Sequence, residues 1–232
     1  MQQLFGTFAI ILMLGSTRVR AEERSPVESA NLSIKLTVGL GGTVDAISSA
    51  STIQAGSALS SESTGSRSRV SYGVAAQYTL PALRHFAIGA ALGYLSWRGA
   101  RGNDIGARNW LLDLAALPEG RWKVGESVLL YATLPVGLTM DVLNEVVYGL
   151  GDGDGDDTRN PGFGFLVGGL LGARFQVMDR LGLFGELGYV YRSVSHELPA
   201  ITFAGGLRMA VREDVTVAFG QLTLSLGACL FF

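Results

Sequence analysis

The chain has 232 residues, of which 48% are hydrophobic and 16% charged, with a formal net charge of −2. That balance excludes a nucleic-acid binder, which would be basic, and a disordered chain, which would be poor in apolar residues. One cysteine, Cys229, excludes an intrachain disulfide framework and a cysteine-rich metal site, while 32 glycines without a collagen period mark many positions where a side chain does not fit or the backbone must bend.

The opening stretch "MQQLFGTFAIILMLGSTRVRAEE" carries an apolar core from Leu4 to Leu14, shorter than the roughly 20 residues a transmembrane helix needs. Val19-Arg20-Ala21 follows with small residues spaced for cleavage after Ala21. The expected organisation is a signal peptide over 1–21, a short segment over 22–30 and one domain over 31–232. No later stretch approaches a transmembrane helix, so any membrane crossing must use strands.

From residue 31 the pattern is alternation. Leu32, Ile34, Leu36, Val38 and Leu40 share one face of a strand, with Ser33, Lys35, Thr37 and Gly39 on the other. Val70, Tyr72, Val74, Ala76, Tyr78 and Leu80 repeat the arrangement. Similar segments run at about 86–97, 109–117, 128–139, 163–175, 181–192 and 201–211. Each is about 9–14 residues long, against about 5–6 for a soluble strand and about 9–11 for a membrane-spanning one.

Charge placement is consistent with that length. Lys35, Asp113, Arg174, Glu186, Arg192 and Arg208 all fall opposite the apolar phase. The rest of that polar phase is mostly Gly, Ala, Ser and Thr, which suits the crowded interior of a small barrel better than a solvated surface. Connections alternate in length, at about 24, 5, 11, 9, 22, 5, 8 and 3 residues, as expected for long extracellular loops and short periplasmic turns. The stretch from Asp45 to Arg69 is Ser-rich and reads as one long loop, and "GDGDGDDTRNPG" as another. Tyr72, Tyr94, Tyr189 and Tyr191 near the loops, with Tyr78, Phe86 and Phe175 near the turns, suit two interfacial girdles.

The chain ends in "LTLSLGACLFF", with Leu222, Leu224, Leu226, Ala228, Leu230 and Phe232 on one face. Val215, Val217 and Phe219 stand on the opposite phase, so the apolar alternation slips at Gly220-Gln221. A tight hairpin there gives ten strands; a bulge there gives eight, with one of the other segments outside the wall.

With its signal segment, its alternating strands, "GELGYVYR" at Gly185 to Arg192 and its Phe-terminated last strand, the chain resembles the small outer-membrane β-barrels of Gram-negative bacteria, the outer-membrane protein A-like and X-like group. The resemblance implies an all-β, antiparallel up-and-down transmembrane β-barrel of eight strands, or ten. It implies a place in the cell outer membrane, contact with outer-membrane lipid and lipopolysaccharide, and a monomer. In that family the barrel-assembly machinery reads the terminal motif, carried here on Leu224, Leu226, Leu230 and Phe232. No substrate and no cofactor follow from the likeness.

Several chemistries remain to be weighed. Lys35, Arg174 and Arg208 facing Asp113 and Glu186 make either a paired structural plug or a gate whose pairs exchange to open a narrow, porin-like pore. Asp152, Asp154, Asp156 and Asp157 resemble the start of a calcium loop without its following Gly and later Glu, so the choice lies between a solvated acidic loop and weak divalent-ion binding. Ser195, His196 and Glu197 are sequence neighbours that point in different directions along a strand, so catalysis is not expected, with an outer-membrane lipid-modifying enzyme as the minor alternative. The main alternative is a secreted or periplasmic lipocalin-like barrel binding an apolar ligand. It would need the apolar phase inside and a nearly uncharged outer wall.

Overall fold

The computed structural model describes residues 28–52, 58–67, 70–98, 108–142, 161–198 and 211–232, with side chains described within 28–40, 70–97, 110–141, 161–195 and 216–232. The residues read as a signal peptide and the acidic stretch 152–157 lie outside that set. The strands are β1 (Asn31–Thr52), β2 (Ala58–Arg67), β3 (Val70–Leu83), β4 (Phe86–Arg98), β5 (Arg108–Lys123), β6 (Val128–Thr133), β7 (Val136–Val142), β8 (Pro161–Met178), β9 (Leu181–Leu198) and β10 (Val211–Phe231).

All strands join one antiparallel sheet, which closes on itself because β1 pairs with β10 from Asn31↔Phe231 to Thr52↔Val211. Ten segments fill eight wall positions, since two positions are each built from two strands laid end to end. Against β1, β2 ends at Arg67↔Thr43 and β3 begins at Val70↔Leu40. Between β5 and β8, β6 and β7 meet at Leu134-Pro135. The break has a chemical cause. Leu134 N donates to Pro118 O at 3.1 Å, so Pro118 faces this position with no N–H to offer, and Pro135 offers none in return.

Eight strands, not ten, is therefore the outcome at the C-terminus. β10 is one strand and pairs with β9 without interruption from Glu213↔Leu198 to Leu230↔Leu181. The irregularity sits on the partner strand: Gly41 and Gly42 of β1 oppose Gln221 between Leu40↔Leu222 and Thr43↔Gly220, a bulge that glycines tolerate. Val217 and Phe219 are buried in the same phase as Gln221, Thr223 and Ser225, so the slip read from the sequence is a change in the chemistry of the inner face rather than in strand phase. Residues 201–210, read as part of a strand, lie outside the described set; Val211 opens β10.

The Ser-rich stretch is also corrected. Most of it is strand, since β1 continues to Thr52 and turns back as β2 over Ala58–Arg67. Pairing with β10 on one side and β2 on the other satisfies its backbone groups, and interspersed Thr, Val and Ile suit the extended chain.

The barrel is inverted relative to a soluble protein. Leu36 is 66% exposed, Leu138 66%, Leu171 69% and Leu226 64%, whereas Arg174 is 0% and Glu186 3% exposed. An apolar belt around the wall and a polar interior belong in lipid, and this is the reverse of what the lipocalin-like alternative requires. Strands of 18 residues for β8 and β9 and 21 for β10 exceed what the hydrocarbon core needs. Short connections gather at one end, which also holds both described termini, joined by Phe232 N donating to Ala30 O at 2.9 Å. The β5–β6 turn there places Gly125 at φ 87°, a conformation that favours glycine.

Candidate functional site

The inner face is the only place where the fold gathers polar chemistry among the described residues, and it is stratified. Toward the long connections, Leu95, Trp97, Leu111, Val194, Val217 and Phe219 form an apolar cluster, with the Trp97 and Phe219 rings 5.2 Å apart. This end of the lumen is filled by side chains from β4, β5, β9 and β10.

Beneath it, Arg192 on β9 meets Asp113 on β5 through Nη2 at 2.7 Å and Nε at 3.0 Å to the same carboxylate oxygen. Across the lumen, Lys35 Nζ on β1 donates to Glu186 Oε2 on β9 at 2.5 Å, and the Tyr131 hydroxyl donates to Glu186 Oε1 at 3.0 Å. Lys35, Asp113 and Arg192 border a cavity of about 90 Å³ whose walls also include Thr37, Thr223 and Ser225. That volume accommodates several waters, with polar partners enough to hold them.

Nearer the turns, Glu119 takes Arg121 Nε at 2.6 Å and Arg174 Nη2 at 3.5 Å. Arg121 Nη1 also donates to the carbonyl of Glu28 at 3.1 Å, tying the segment before β1 to the wall. The Arg174 guanidinium lies over the Tyr131 ring at 4.7 Å, a cation–π contact. Leu129, Tyr131, Phe184, Cys229 and Phe231 close the turn end. Such large side chains fit because the neighbouring strand offers glycine. A Cβ on Gly227 would stand 2.6 Å from the Phe184 ring, and one on Gly172 would collide with Tyr131.

The structure thus pairs Lys35 with Glu186, and Asp113 with Arg192, while Arg174 turns to Glu119. Arg208 lies outside the described residues. Glu119, Arg121 and Tyr131 are lumen residues that the sequence reading passed over. Glu119 and Arg121 were legible, since Asp113, Ala115, Leu117, Glu119 and Arg121 keep one phase and all are buried, but ending the strand at Leu117 before the proline hid them; Tyr131 lies inside the segment at 128–139, where charge alone was followed. Leu224, Leu226, Leu230 and Phe232 stand on the outer face, with Phe232 71% exposed, and Phe231 points inward. Ser195 Oγ lies 3.1 Å from Thr216 Oγ1, and the side chains of His196 and Glu197 lie outside the described set.

No protein-family model matches the chain, and no curated protein matches it. Among solved structures, the outer membrane protein OprG from Pseudomonas aeruginosa is similar at 14% identity with a TM-score of 0.52, covering 88% of this chain and 96% of that one. Neisserial surface protein A is similar at 14% identity with a TM-score of 0.40, covering 87% of this chain and 97% of that one. The outer membrane protein AlkL is similar at 11% identity with a TM-score of 0.41, covering 94% and 95%. A closed eight-position barrel, a lipid-facing apolar belt and the fold shared with OprG together make the protein an integral membrane β-barrel of the outer-membrane type.

Proposed function

We propose that this barrel is a non-enzymatic, closed-lumen protein of the outer membrane. Its described interior serves to hold the wall together rather than to pass solutes. The observation that carries this reading is the filled lumen: apolar side chains occupy both ends, and ion pairs bridge the walls between them. Small barrels pack their interiors in this way. Lipopolysaccharide and phospholipid would contact the outer belt, and the assembly machinery would read Leu224, Leu226, Leu230 and Phe232 at the turn end, which would face the periplasm.

Planar-bilayer recording tests the proposal. The purified barrel should give no steady conductance above lipid alone; a stable ohmic channel in the wild type would refute it. A narrow pore is the second reading, favoured by the cavity of about 90 Å³ beside Lys35, Asp113 and Arg192. In that case brief openings should occur, and Arg192→Ala, which removes the guanidinium paired with Asp113 beside that cavity, should change their frequency.

A further inference from the structure

The turn-side half of the lumen is electrostatically unbalanced. It holds four cationic side chains, Lys35, Arg121, Lys123 and Arg174, against three carboxylates, Glu28, Glu119 and Glu186. Lys35 and Glu186 match each other, the partly exposed Glu28 carboxylate pairs with Lys123 at 3.5 Å and also faces Arg121, and Glu119 is the carboxylate that Arg121 and Arg174 share. Arg174 is 0% and Arg121 3% exposed, and neither is satisfied. Arg174 Nε and Nη1 and Arg121 Nη2 have no acceptor among the described residues.

A buried charge without a counter-charge is among the costliest features a fold can carry, and unmet donors add to the cost. Water would answer the donors and leave the charge; an anion answers both. We propose that the Arg121–Glu119–Arg174 triad binds one small monovalent anion, of halide size, on the guanidinium edges that Glu119 leaves open. The size follows from the surroundings. Tyr131 covers one face of Arg174 at 4.7 Å, and Tyr131 itself belongs to the apolar cluster with Leu129, Phe184, Cys229 and Phe231 that seals the turn end. A lipid headgroup or nucleotide would have to displace that cluster. The site does not depend on whether the barrel conducts, because its donors lie in the sealed turn-side lumen and none of them lines the cavity beside Lys35, Asp113 and Arg192.

The test compares urea unfolding of the full barrel in detergent micelles in sodium bromide and in sodium gluconate at equal ionic strength. Above the dissociation constant, each tenfold rise in bromide should raise the folded-to-unfolded ratio about tenfold. Arg174→Gln and Arg121→Gln should abolish the dependence and Arg192→Gln should keep it. Glu119→Gln, which removes the competing carboxylate, should steepen the response at low bromide. Crystals of the wild type grown in bromide should show an anomalous peak within hydrogen-bonding distance of Arg174, a readout that does not require the variants to fold. Equal midpoints in bromide and gluconate with no such peak would overturn the proposal. So would a bromide dependence that survives Arg174→Gln and Arg121→Gln, which would mark an adventitious ion only.

Discussion

The Lys35–Glu186 pair offers a direct measure of how this lumen is stabilised. The Lys35 side chain is 11% exposed and that of Glu186 2%, with 2.5 Å between Nζ and Oε2. Substituting Lys35→Met keeps most of the volume and removes the charge, so Glu186 remains as a buried carboxylate that accepts from the Tyr131 hydroxyl at 3.0 Å. Breaking a buried pair from one side costs about 3–5 kcal/mol, a fall in the folded-to-unfolded ratio of roughly 10²- to 10⁴-fold. Adding Glu186→Gln removes the stranded charge while its amide oxygen still accepts from Tyr131. The double variant should therefore recover at least about 2 kcal/mol over Lys35→Met alone. Urea titration of the barrel in lipid vesicles, read by heat-modifiable gel mobility and by tryptophan fluorescence, gives both values. A double variant no more stable than the single one would refute the reasoning, because the loss would then come from packing rather than from an uncompensated charge.

Other outcomes follow from the two faces of the wall. Leu226→Arg, at an outward position 64% exposed, should destabilise the membrane-inserted barrel by about 2–4 kcal/mol, whereas Leu83→Arg beside a turn should cost about 0–1 kcal/mol. The same urea titration distinguishes them, and equal costs would contradict the assigned belt. Trp97→Ala should cost about 3–5 kcal/mol, because Trp97 is 2% exposed and packs on Phe219; a loss under about 1 kcal/mol would mean the loop-side cluster is not packed. Deleting Phe232 should reduce assembly into the outer membrane, measured as the heat-modifiable fraction in isolated membranes, more than it changes the stability of the refolded barrel. Normal assembly of the truncated chain would count against its role as the terminal signal.

Much of the architecture is legible in the sequence. Strand existence and the identity of the two faces came from period-two alternation, because a barrel wall in lipid obliges every outward side chain to be apolar. Boundaries were less legible. Pro118 reads as a stop, yet β5 runs on to Lys123, since Pro118 still accepts from Leu134 N and the ladder holds one register on either side of it, at Glu119↔Thr133 and Ala116↔Val136. The Ser-rich segment reads as loop, yet it pairs on both sides, because backbone hydrogen bonding in a long hairpin needs no apolar face.

The sequence by itself determined that Lys35, Asp113, Arg174, Glu186 and Arg192 point into the lumen, for phase along one strand is a local property. It could not decide who meets whom. Asp113 joins Arg192 across 79 residues of chain, and Lys35 joins Glu186 across 151, and those partnerships depend on the register and stagger with which eight wall positions close. The same closure brings Arg121 and Arg174 to a single carboxylate. It also makes Val217 and Phe219 part of an interior seal rather than a slipped strand. Alternation gave each residue its side of the wall, and only the tilt of the strands around the closed barrel gave it its neighbours.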